Sequence, residues 1–136
     1  MSDDAVLESV KTLNQIAADT MVLRDLYKKH HWQVSGTTFY QLHLLFDKHY
    51  GEQSALVDSL AERIQTLSGI TVAMAHDVAE MTSLQRPPRG REAVPVQMSR
   101  LLDACALARK SGQIKLRCAD AILIFVLTGS LQSRVT

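Results

Sequence analysis

Four side chains in the stretch LHLLFDKHYGEQSALVDSLAER, residues 42–63, have the types and spacing of metal ligands. His43 stands four residues before Asp47, and Asp58 four residues before Glu62. Imidazole nitrogen and carboxylate oxygen together suit iron, manganese or zinc, and a carboxylate-rich site with open positions suits redox-active iron. On a helix turning about 100° per residue, with His43 at zero, Asp47 falls near ~40°, Asp58 near ~60° and Glu62 near ~100°. The four therefore share a face. His49 and Glu52, near ~240° and ~180°, fall on the far side and are excluded from the same site.

Helical rise separates what phase brings together. At about 1.5 Å per residue, Asp47 and Asp58 stand roughly 16 Å apart along the axis, so no single ion bridges the two pairs. A two-fold dimer that packs two copies of this helix antiparallel sets the first pair of one chain against the second pair of the other, giving two equivalent sites. His31 can join, since it lies one short loop before the second helix and a helical hairpin sets it beside that helix's start. Spacing alone also describes a solvated face, where charged i,i+4 pairs are common, although Asp58 and Glu62 repel each other without a cation.

The elements that must position these residues are helices. Apolar residues recur at Val6, Val10, Leu13, Ile16, Leu23 and Tyr27, which predicts one amphipathic helix from Asp4 to about Val34, ended by Ser35-Gly36. Thr38 to Gln41 matches a capping box and predicts the start of a second helix. Its core face reads Phe39, Leu42, Leu45, Phe46, Leu56, Leu60, Ile64 and Leu67, and Gly69 stands where a left-handed cap is wanted. Gly51 costs about 1 kcal/mol relative to Ala in a helix interior. Residues 70–95 form a long connection with a short helical candidate, DVAEM at 77–81, and a basic turn, RPPRGR at 86–91. A connection of that length predicts a crossover, with the next helix parallel to the second. Pro95 suits a first helical position, Leu101, Leu102, Cys105 and Leu107 make Val96–Lys110 amphipathic, and Gly112 closes it. Beyond it, IKLRC alternates like a strand and AILIFVL at 121–127 is a short apolar run that periodicity cannot assign.

Composition agrees. A chain of 136 residues can bury one sizeable core and is too short for two ordinary domains. Six glycines and three prolines argue against a turn-rich all-β design. The formal charge of +1 carries no electrostatic footprint for nucleic acid or an anionic membrane. MSDDAVLESV lacks the basic flank and apolar run of a signal peptide. Cys105 and Cys118 are too few for a disulfide framework or zinc site, so reduced thiols in a cytoplasmic protein are expected. No apolar stretch approaches the roughly twenty residues of a membrane-spanning helix.

The stretch from His31 to Arg63, HWQVSGTTFYQLHLLFDKHYGEQSALVDSLAER, resembles the signature of the Dps family, the ferritin-like miniferritins named for protecting DNA in starved cells. It combines HW-x-V-x-G, LH-x-x-FD and D-x-x-AER in order, and DVAEM and RPPRGREAVPVQ are similar to family members as well. The likeness covers 1–102 of a single domain, 1–136, whose residues 103–136 diverge. It implies an all-α, ferritin-like four-helix bundle with a short helix in its long crossover. Its last helix is expected to be truncated, with only VLTGSLQSRVT echoing the family's.

Carried residue by residue, the resemblance places ferroxidase ligands on His31, His43 and Asp47 of one subunit and on Asp58 and Glu62 of its two-fold neighbour. It implies a homodimer built into a homododecamer that oxidises Fe(II) to Fe(III), preferably with hydrogen peroxide rather than oxygen, and stores the product, sparing the cell oxidative damage. Trp32, beside His31, is expected to shield the site, intercept a stray oxidising equivalent, or serve as a core or interface aromatic. His30 is expected at the surface, and His76 is given no role. The acidic start disfavours direct DNA binding, which the family often performs with a Lys-rich extension, although Arg86, Arg89 and Arg91 leave a basic patch. Two rival readings follow: an inactive structural relative that cannot assemble, and a nucleoid-associated protein acting through DNA alone.

Overall fold

The computed structural model describes residues 2–112. Four helices follow in order: α1 (Asp3–Gln33), α2 (Phe39–Thr66), α3 (Ala75–Met81) and α4 (Val94–Gly112), and no strand occurs among the described residues. The expected short last helix, and the ambiguous IKLRC and AILIFVL segments, lie outside the described residues.

α1 begins where Ser2 accepts a hydrogen bond from the Ala5 amide through its side chain, with Asp3 and Asp4 in the first turn facing the positive end of the helix dipole. It folds back through residues 34–38 onto α2. The capping box expected at Thr38 does not form: Thr38 precedes the helix, but its side chain makes no capping hydrogen bond, and the Phe39 amide instead bonds the Gly36 carbonyl in a tight turn. Phe39, expected in the core, is exposed, because the helix starts before the bundle does.

The buried positions of α2 are Leu42, Phe46, His49, Gln53, Val57, Leu60 and Ile64, a continuous stripe in which every step is four or three. They meet Ile16, Leu23, Leu26 and Tyr27 of α1 and, at the upper end, Met98, Leu101 and Cys105 of α4.

α2 ends differently from the sequence reading. Ser68, not Gly69, takes the left-handed conformation (φ 59°), while the Gly69 amide donates to the Ile64 carbonyl and the Ser68 amide to that of Gln65. Gly69 is required for another reason. A Cβ there would lie 2.6 Å and 2.8 Å from the two methyl carbons of Val10, so the absent side chain is what lets the turn pack onto α1.

The connection then climbs α1. Asn14 bonds Ile70 and Val72, Gln15 bonds the Met81 carbonyl, and Asp19 accepts from the Ser83 amide at 2.7 Å and the Thr82 hydroxyl at 2.8 Å. Farther up, Lys29 donates to the Gly90 carbonyl and Gln33 to that of Arg89. The crossover therefore runs the length of α1, and α4 returns antiparallel to α1 and parallel to α2, as its length predicts. Asp19, buried, is the central anchor; a buried carboxylate needs several donors, and here they come mostly from the crossing segment, with Gln15 of α1 adding one at 3.3 Å.

Candidate metal centre

The hairpin brings the end of α1 beside the start of α2, and with it His31 beside His43. The imidazole rings stack with centroids 3.6 Å apart and planes 20° apart. Each is oriented by the other residue's backbone: His31 Nδ1 donates to the His43 carbonyl at 2.7 Å, and His43 Nδ1 donates to the His31 carbonyl at 2.9 Å. A carbonyl only accepts, so Nδ1 carries the proton in both rings. In the neutral ring the lone pair is then on Nε2, the tautomer a metal ligand requires.

Asp47, one turn along α2 from His43, is on the same side of the hairpin. Its Oδ1 accepts from Lys28 Nζ at 2.6 Å, and that hydrogen bond, with further help from the Lys28 charge, holds the carboxyl below its usual range. The Lys28 ammonium also lies 4.5 Å from the centroid of the Tyr50 ring. Lys28 drew no attention in the sequence, because its partner is nineteen positions away and only the hairpin register joins them.

Asp58 and Glu62 lie farther along α2, both exposed. They do not reach the His31–His43 pair within the chain. Among the described residues, no group of three or more His, Cys, Asp or Glu side chains is gathered closely enough to hold a metal ion. The five expected ligands are therefore placed as two separate sets, His31, His43 and Asp47 at one end of α2 and Asp58 and Glu62 toward the other.

Both sets face away from the chain's own core. On the helical wheel with His43 at zero, the buried residues of α2 centre near ~280°, whereas the ligands span from zero to about 100°. His49, which the same arithmetic keeps off the ligand face, is not a surface residue: it is buried, and its Nδ1 bonds Glu52 at 3.0 Å.

His30 also departs from expectation. Rather than standing at the surface it is fully buried beside Phe46, and among the described residues neither ring nitrogen finds a hydrogen-bond partner. Burial, aided by the neighbouring Lys29 charge, pushes its pKa down to about 4. The signal was available, since His30 continues the stripe Leu23, Tyr27 at the next helical step. Trp32, by contrast, is 71% exposed, which removes the core role from its expected alternatives.

An all-helical bundle with a crossover of this kind and paired histidine and carboxylate positions defines the ferritin-like class, and the family model for the ferritin-like domain matches residues 10–112. Within that class, the chain belongs to the Dps family. DpsC from Streptomyces coelicolor is similar at 45% identity, with a TM-score of 0.74, over 99% of this chain and 84% of that one. A protein of Kitasatospora aureofaciens is 54% identical over 104 residues, covering 76% of this chain and 69% of its own length. DNA protection during starvation protein 2 of Bacillus anthracis is 34% identical over 84 residues, covering 62% of this chain but only 58% of that protein. No described helix is long and apolar enough to cross a membrane.

Proposed function

We propose that the chain is an iron-binding ferroxidase and iron-storage protein whose site is completed only between two copies. His31, His43 and Asp47 of one copy and Asp58 and Glu62 of the other bind Fe(II) as substrate. Paired iron atoms deliver two electrons to one hydrogen peroxide, yielding two Fe(III) and two hydroxides, so that no hydroxyl radical is released. The shared chemistry of imidazole and carboxylate oxygen supports iron in both oxidation states. Dimers built into a dodecamer would hold the ferric product, as the family resemblance implies.

One observation carries this reading: the ligands of α2 are placed symmetrically about a point on its outer face. His43 and Glu62 are equidistant from the midpoint between Glu52 and Gln53, and so are Asp47 and Asp58. A two-fold axis through that midpoint sets His43 opposite a partner's Glu62 and Asp47 opposite its Asp58. The middle of the same face carries Gly51, Ser54 and Ala55, side chains small enough for two helices to approach closely. The apolar surface is distributed to match. Trp32, Tyr40 and Leu44 are exposed near the histidine end, and Ile70 (88% exposed) and Met74 near the other, so antiparallel pairing covers each patch with the other.

The test is complementation. A chain lacking His31 and His43 is mixed with one lacking Asp58 and Glu62, and heterodimers are isolated by orthogonal tags. They should recover one of two sites, hence about half of the wild-type Fe(II)-dependent peroxide consumption, while either parent alone has none. Confirmed heterodimers with no activity would refute the shared site, and a wild-type chain that stays monomeric and takes up no iron would favour the inactive relative.

A further inference from the structure

α1, α4 and the segment crossing them flank a cavity of about 470 Å³ that the proposed metal chemistry does not use. Its volume falls in the range of about 300–1,000 Å³ found for small-molecule sites. On α1, with His31 at zero, the lining residues Val22, Asp25, Leu26 and Lys29 fall between ~120° and ~220°, so the cavity lies on the side of the helix away from His31. We propose that it binds a small monoanionic amphiphile, an apolar body ending in a carboxylate, with the carboxylate held at Lys29 and Arg100.

The lining changes character along the helices. Leu26, Leu84 and Ala104 are buried and form an apolar floor, and Val22 and Leu107 stand at the lower end. Because α4 runs antiparallel to α1, Lys29 and Arg100, the uppermost lining residues of their two helices, come to the same end. Burial of an apolar body on the floor supplies affinity, and the two cations fix which way the ligand lies.

Charge selects the head group. Lys29 Nζ donates to two neutral oxygens, Gln33 Oε1 at 2.7 Å and the Gly90 carbonyl at 3.3 Å, and forms no ion pair among the described residues. Arg100 has one carboxylate, Glu92, whose two oxygens both accept from its Nε, at 2.9 Å and 2.6 Å. Its two terminal nitrogens are left without a partner among the described residues, so this end sets two cations against one carboxylate with donors to spare. Asp25 and Asp103 also line the cavity, about one turn below the cations. Both are exposed, and Asp25 is already paired with Arg24 at 2.9 Å, so water screens their pull on a cation. Their charges disfavour a carboxylate anywhere but the upper end.

The experiment titrates the full-length protein by calorimetry with 1-naphthylacetate and with its neutral counterpart, 1-naphthylacetamide. The acid should saturate at one per chain, and the amide should bind at least about tenfold more weakly, since it forfeits the charge-assisted hydrogen bonds. Lys29→Met should weaken the acid by about the same factor. Asp103→Asn, at an exposed position, should instead tighten it about two- to threefold. Leu107→Trp, which fills the lower end, should abolish binding while circular dichroism shows the helices intact. Because the ligand touches two helices and the segment crossing them, saturation should also raise the melting temperature of wild type. Absence of binding by wild type, equal affinity for acid and amide, or an affinity that neither Lys29→Met nor Leu107→Trp changes would each overturn the proposal. If those two variants do not fold, Asp103→Asn decides, and an unchanged or weakened affinity there overturns it.

Discussion

His31 and His43 orient each other through the backbone rather than through their side chains. Each ring donates from Nδ1 to the other residue's carbonyl, at 2.7 Å and 2.9 Å, and the rings then stack at 3.6 Å. Removing one imidazole therefore leaves the acceptor that orients the other in place.

The consequence is that single alanine variants lose one ligand each without disordering the second. His43→Ala should keep wild-type helicity, lose about 1 kcal/mol with the stacked ring, and weaken metal binding by at least about tenfold. The double variant should lose the product of the two factors. Co(II) titration followed by visible absorption, alongside far-ultraviolet circular dichroism, checks this; a single variant as damaged as the double would show that the rings depend on each other after all.

Gly51 and Gly69 test two different uses of a missing side chain. A Cβ on Gly51 meets nothing within 4 Å in its own chain, and the residue is exposed, so the fold gives no reason for tolerating a poor helix former in the middle of α2. Close approach of a second α2, as proposed for the shared site, would supply one. Gly51→Leu should leave helicity intact, separate the dimer on size-exclusion chromatography and abolish shared-site metal binding. An assembled Gly51→Leu protein with full metal capacity would move the interface elsewhere.

At Gly69 the obstruction is internal. Because its φ is not positive, Gly69→Ala brings no backbone strain, only the collision of its Cβ with Val10 at 2.6 Å. The substitution should cost about 1–3 kcal/mol in urea unfolding, and Val10→Ala introduced alongside should recover part of that loss. Additive losses in the double variant would mean that the contact is not the cause.

These contrasts show what the sequence makes legible. Helix extents and the crossover follow from local periodicity and loop length, and the four α2 residues proposed as ligands share a face as their phase requires. His30, His49 and Gln53 escape notice because residue type outweighs phase: each occupies a core step of its helix, yet polar side chains are ordinarily placed outside. Thr38 has the composition of a cap without the geometry, since the Gly36 turn satisfies the Phe39 amide first. Lys28–Asp47 and Asp19–Ser83 are invisible for a third reason: they depend on tertiary register, which no local pattern encodes.

Burial of His30 makes a prediction about acid. Its pKa is near about 4 when folded against an ordinary value of 6.5, so between these two values the unfolded chain carries a proton that the folded chain refuses. Protons then favour unfolding, and the stability present above pH 6.5 is lost progressively as pH falls toward 4, by about 3 kcal/mol in all. Its ring nitrogens, which find no hydrogen-bond partner among the described residues, add a second cost that is present even at neutral pH. His30→Leu should therefore stabilise the protein by about 1 kcal/mol at pH 8 and flatten the decline between pH 6.5 and 4. Lys28 and Arg100 are the main causes that hold the carboxyls of Asp47 and Glu92 below their ordinary range, so those contributions are lost only at lower pH. Urea midpoints measured at half-unit steps from pH 8 to 4 separate the two. Parallel curves for wild type and His30→Leu would show that the buried imidazole is not what acid attacks.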